Sequence, residues 1–189
     1  MSTLREALDR TLLLMRDEMR ADTPDEVLLT DLTGTEIALV ADAEALCAPA
    51  AQTMFVTTAL LCARSGHKVY LLAPDVALTQ PQPPLRGPTM IAALLAADGI
   101  IMPARRFESQ PPDHAIDLEI RLGAATHRCA AQATCAIGAT RWSGHLTRKT
   151  AVQPWMADLV WPMGAMAAAV LAAVEAFKCA MHKLAPFAC

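Results

Sequence analysis

Aromatic side chains are scarce in this 189-residue chain: four Phe, three Trp and one Tyr make up 4% of it, although 54% of residues are hydrophobic. Alanine supplies much of the apolar count, so the core is expected to form by close approach of helices rather than by burial of large rings. Excess charge is also lacking. A net charge of −3 leaves no footprint for nucleic acid or an anionic membrane. The opening residues 1–6 already include the charged Arg5 and Glu6 and do not resemble a signal peptide. The most apolar run, 163–174, stops at Glu175, short of a membrane span. Six cysteines without a secretory signal point to reduced thiols. The expectation is a cytoplasmic, soluble protein with no nucleic acid or membrane partner. Its length suits one full core, with a helical segment over 1–30 and a single globular unit over 31–189.

The chain is organised around residues 37–75. Residues 37–41 are a short uncharged apolar run, as expected for a strand buried on both faces of a parallel sheet. A turn over 42–49 leads into a helix to about Ser65, with Ala51, Met54, Phe55, Thr58, Leu61 and Cys62 at spacings of three and four. Gly66 stands where a left-handed cap belongs, and 69–72 is a second apolar strand. This is a βαβ unit, the opening of a dinucleotide-binding fold.

Read through Asp75, the segment resembles the start of the ThiF/MoeB/HesA superfamily, the ubiquitin-activating-enzyme-like adenylyltransferases. That family has a strand, a G-x-G-x-x-G turn often continued as Ser-Pro, a helix, and a second strand ending in Asp-x-Asp. Pro49 fits the frame, but Asp42, Glu44 and Cys47 occupy the three glycine positions. Glycine lets the backbone approach a phosphate at a helix N-terminus. Asp42 and Glu44 would instead satisfy the helix dipole, worth about 0.3–1 kcal/mol each. They would also repel a triphosphate, by roughly 1–4 kcal/mol per charge pair at about 4 Å.

Two further stretches carry the resemblance. Residues 135–146 match an apolar strand with a Gly-Ala-x-Arg break, Gly138 to Arg141, followed by Gly144 and an outgoing strand. Residues 162–178 match the late helix, a Gly-rich start running to Glu175-Ala176-Phe177-Lys178. The family's functional positions are replaced. Ala73 stands where an Asp would hold the ribose, and no Arg follows before Arg86 for the phosphates. The strand end 122–125 lacks the carboxylate that would hold magnesium, and the crossover 147–161 lacks a thioester cysteine. The zinc-binding Cys-x-x-Cys pairs of many members are missing too. The resemblance therefore implies a three-layer, Rossmann-like α/β fold with a mainly parallel sheet flanked by helices, and no cofactor.

Along the chain, Thr3-Leu4-Arg5-Glu6 resembles a capping box opening a helix over 3–20. Thr23-Pro24-Asp25-Glu26 repeats the signature for a short second helix, with Pro24 at its first position. Residues 79–88 form a Pro- and Gln-rich loop, 88–97 a helix closed by Gly99, 100–102 a strand and 116–122 another. Asp117, Glu119 and Arg121 alternate as on a half-exposed strand, an alternative to acid–base chemistry with Asp113 and His114. His127, Cys129 and Cys135 do not have zinc spacing, and His127 with Cys129 is a poor nucleophile–base pair if helical. Ser143-Gly144-His145 lacks the first glycine of a nucleophile elbow.

Trp142, Trp155 and Trp161 mark either core or an interface. Met163, Met166, Val170, Val174, Phe177, Met181 and Leu184 form a stripe flanked by alanines. Trp155, Trp161 and this stripe are the interface candidates, with the end at Phe177, Met181 and Leu184 expected to join a dimer. The preferred expectation is a non-catalytic ThiF-like subunit in a bacterial ubiquitin-like conjugation or sulfur-carrier pathway. It would pair with itself or with an active ThiF-type subunit, with a ubiquitin-like protein as a further partner. The alternatives are a divergent adenylyltransferase or nucleotide-dependent enzyme, and one piece of a larger activating enzyme.

Overall fold

The structure is a computed structural model that describes residues 3–104, 106–148 and 160–188. Helix α1 (Leu4–Arg16) opens with the expected capping box, Thr3 accepting from the Glu6 amide while Glu6 reaches back. Helix α2 (Asp25–Thr33) follows, with Pro24 at the N-cap rather than at the first helical position and no side-chain cap. Arg5 and Arg16 both reach Asp25 and hold the two helices together.

The βαβ unit forms as its apolar runs dictate: β1 (Glu36–Val40), α3 (Pro49–Arg64) and β2 (Lys68–Leu72). Gly66 takes φ +93°, the left-handed turn that ends α3. Helix α4 (Met90–Ile101) and β3 (Phe107–Glu108) come next. This region differs from the expected helix over 88–97 and strand over 100–102. Ile100 and Ile101 are the last turn of α4, not a strand, and Gly99 lies inside that helix. The two-residue β3 is the strand of this region; Asp98 fixes its start by accepting from the Arg106 and Phe107 amides at 2.8–3.0 Å.

Strands β4 (Ile116–Leu122), β5 (Ala131–Ala139) and β6 (Gly144–Thr147) precede the last helix, α5 (Met163–Lys183). The six strands lie in the order β3-β2-β1-β4-β5-β6, parallel except for β6. The expected fold is therefore present, a Rossmann-like, mainly parallel sheet flanked by helices.

Cover over the sheet is uneven. Helices α3, α4 and α5 share one buried cluster with Ile37, Leu39, Val69, Leu71, Ile120 and Ile137. On the other side Ala38, Val40 and Tyr70 pack with Ile116, Ala125 and Cys129, and no described helix residue joins them. The reason is covalent. Only residues 123–130 connect parallel β4 to β5, too few for a helical crossover of the usual dozen residues.

Helix α5 is built inside out. Its inner face is Gly164, Ala165, Ala168, Ala169, Ala172 and Ala176, small enough for α3 and the sheet to come close. A Cβ on Gly144 would lie 2.2 Å from the Ala168 nitrogen, which shows how tightly β6 meets this helix. Past Ala180, α5 packs on α1 and α2 instead, and Lys183 ties it to Asp117 at 2.7 Å and to the Gly34 carbonyl.

Candidate functional site

In an open α/β sheet, ligands bind beyond the carboxyl ends of the strands, where the strand order reverses. That point lies between β1 and β4, because the chain runs outward through β2 and β3 and returns to the other side of β1. A cleft of about 640 Å³ sits there, with Asp42, Ala73, Pro74, Ser109, Pro111 and Arg128 in its wall.

The turn after β1 closes on itself. The Leu46 amide donates to the Asp42 carbonyl at 3.2 Å, and residues 45–47 form a single 3₁₀ turn. Cys47 is exposed and its Sγ donates to the Ala43 carbonyl. Neither Asp42 nor Glu44 caps α3, which has no side-chain cap. Instead Arg128 donates to Asp42 Oδ1 at 3.2 Å across the cleft, while Glu44 points into solvent. The two sides of the cleft are joined by this partly exposed ion pair.

Ala73 lines the cleft without a polar group, and the carboxylate two residues on is committed elsewhere. Asp75 accepts from the Ile91 amide at 2.7 Å and from Thr89 Oγ1 at 2.9 Å, so it caps α4 from a distance. Gln52 is buried and holds the Pro-rich loop over α3: its Nε2 donates to the Leu46 and Ala77 carbonyls, and its Oε1 accepts from Thr79.

Below the cleft is a buried carboxylate. Glu119, in the middle of β4, is fully buried, not half-exposed as its alternation suggests. Its Oε1 accepts from His127 Nδ1 at 2.5 Å, and its Oε2 accepts from the Arg128 and Cys129 amides at 2.9 and 3.2 Å. Residues 127–129 therefore form an irregular strap laid over the sheet, not a helix surface. Burial, followed by the charge of Glu119, pushes the Cys129 thiol up to about 12, which suppresses the nucleophilic thiolate. Cys135 lies in the other cluster, under α5, and is also pushed up to about 12, mainly by burial.

Asp113 and His114 lie away from the cleft. His114 contacts Asp113 at 3.0 Å and Glu36, at the start of β1, at 2.5 Å, and both hydrogen bonds raise its pKa. Asp117 is buried at that same edge, where its Oδ2 accepts from the Glu36 amide and from Lys183. Among the described residues no group of three or more His, Cys, Asp or Glu side chains is placed to hold a metal ion.

The interface candidates divide. Trp161, Met163, Met166 and Val170 are exposed, and Trp161 meets Trp142 with ring centroids 5.5 Å apart. Phe177 and Met181 are partly covered by α1 and α2, and Leu184 is fully buried there. Leu184 is thus part of the fold's own core, so the expected free end of the stripe is the end the N-terminal helices occupy. Trp155 lies outside the described residues.

Sequence reasoning missed Arg128 and Gln52 as site residues, and it named Glu119 as a half-exposed strand residue without its role as the buried clasp. Their only signal is topological, since the order β2-β1-β4 brings the segment after β4 beside the turn after β1. A family model described as the BilD N-terminal domain matches residues 36–189, from the first residue of β1 onward. The chain belongs to the BilD N-terminal domain family. The matched span includes the cleft, the strap and all of α5, and leaves α1 and α2 ahead of it. No curated protein and no solved structure matches the chain.

Proposed function

We propose that the chain is a non-catalytic, ThiF-like subunit that pairs with an active adenylyltransferase or with a second copy of itself. Its setting would be the cytoplasm, in a bacterial ubiquitin-like conjugation or sulfur-carrier pathway. The observation that carries the reading is the Asp42–Arg128 pair across the switch-point cleft. It sets a carboxylate where a phosphate would need a glycine backbone, and engages the cation that could have met the phosphate. Ala73 offers no carboxylate at the ribose position, and Asp75, the second acidic position of the motif, is spent on capping α4. The family description, an N-terminal domain, fits a unit that works beside further domains or subunits.

Chemistry on cysteine tests the role directly. Incubation with ATP, an activating enzyme and a ubiquitin-like protein with a Gly-Gly tail is expected to leave the intact mass unchanged. A thioester adduct on any cysteine, the exposed Cys47 included, would contradict the reading. The rival reading, a divergent nucleotide-dependent enzyme, draws on the size of the cleft alone and is separated by nucleotide affinity.

A further inference from the structure

Over residues 163–174, helix α5 turns its large side chains away from its own core. The inner face is alanine and glycine, whereas Met163, Met166, Val170, Leu171 and Val174 are each between 43% and 51% exposed. No charged residue interrupts the helix before Glu175. A surface helix of a finished globular unit shows the opposite arrangement, with the apolar face inward and polar residues outward. With Trp142 and Trp161 at one end, these side chains expose on the order of 700 Å² per chain, close to the about 800 Å² that each partner gives to a standard interface. A contiguous patch of this kind marks an interaction site.

We propose that a second copy of this chain covers the first three turns of α5 as an antiparallel, two-fold helix pair. This rests on the pairing role proposed above and specifies its surface, partner and register. The pattern of exposure is its own complement. Reversed about the midpoint between Ala168 and Ala169, Met163 faces the second copy's Val174, Met166 faces its Leu171, and Ala167 faces its Val170. A two-fold interface demands this self-matching of one patch. The exposed Ala167 leaves room for the opposing Val170, as ridges into grooves require. The contact spans about 16 Å along the helix.

A membrane surface is a poorer occupant for this face. Residues 163–183 are long and apolar enough to cross a bilayer, but 39% of the most apolar window is buried against the chain's own fold. Beyond the patch Glu175 is paired by Arg148 and Lys178, so the rim lacks the basic excess of an interfacial helix.

The test is sedimentation equilibrium of the full chain between about 1 and 100 μM, the micromolar range of an interface this size. The parent is expected to be a dimer, and Val170→Glu, an exposed position, a folded monomer by circular dichroism with a dissociation constant raised at least tenfold. Met163→Lys and Val174→Glu singly weaken the dimer. Combined in one chain they weaken it less than either alone, because residues 163 and 174 are three turns apart in one helix and meet only between antiparallel copies. A monomeric parent, a dimer indifferent to Val170→Glu, a double variant weaker than both singles, or flotation of the parent with neutral vesicles would each overturn the inference. Magnesium-ATP titrated into the same samples separates the two readings. A monomer without ATP affinity contradicts only this inference, whereas micromolar ATP affinity contradicts the non-catalytic role whatever the oligomeric state.

Discussion

His127 Nδ1 sits 2.5 Å from Oε1 of Glu119, a carboxylate with no exposed surface in the centre of the sheet. The same carboxylate takes the backbone amides of Arg128 and Cys129. A strap too short for a helix cannot satisfy its own amides by helical bonding, so a side chain from the sheet does it. That clasp also fixes Arg128, whose guanidinium then reaches Asp42.

Glu119→Ala is expected to destabilise the fold by about 3 kcal/mol, because it strands buried donors on the strap. For a chain of this size that is a fall in Tm of about 6–12 °C. Glu119→Gln keeps the shape and one acceptor and should lose about 1 kcal/mol. Thermal unfolding by circular dichroism ranks the two; equal losses would mean that the clasp is not what Glu119 supplies.

Two glycines should respond in opposite directions. A Cβ on Gly144 would meet Ala168 and Ala167 backbone atoms at 2.2 and 2.7 Å, so Gly144→Ala must push α5 away from the sheet. A loss of about 3 kcal/mol is expected, at the upper end of overpacking costs. Gly99 lies inside α4, and a Cβ there meets nothing within 4 Å. Gly99→Ala should therefore stabilise by about 0.5–1 kcal/mol. A destabilised Gly99→Ala would contradict the placement of this glycine within the helix.

Much of this architecture is legible in the sequence because it is local. The capping box at Thr3, the apolar runs of β1 and β2 and the left-handed Gly66 each carry their own signal. Ile100 and Ile101 mislead because a short β-branched run fits a strand or the end of a buried helix equally well. The periodicity of α5 marks a stripe but not which side of it faces the core. There the alanines won the inside, since β6 and α3 approach too closely for Met or Val. Glu119 and Arg128 gain their roles only when β4 is placed beside β1, a relation no spacing along the chain encodes.

His67 sets an acid limit on stability. It is buried, its Nδ1 donates to the Leu32 carbonyl at 3.0 Å, and its Nε2 has no partner among the described residues. Burial pushes its pKa down from 6.5 to about 4. The unfolded chain therefore binds a proton between those values while the folded chain does not, so stability falls as pH drops from about 6.5 to about 4. The full effect is about 3 kcal/mol. Urea unfolding at pH 7.5 and pH 4.5 should show a smaller acid loss for His67→Phe than for the parent. An identical acid loss in both would show that His67 is not the group responsible.

We propose that the switch-point cleft is closed to nucleotide by its own residues. Isothermal titration of magnesium-ATP into the full chain tests it most directly, in parallel with Asp42→Gly, which removes the carboxylate and frees Arg128. The parent is expected to give no heat of binding up to about 1 mM, a level at which a working adenylation site would be well occupied. Saturable binding to the parent with micromolar affinity, abolished by Arg128→Ala, would contradict the account.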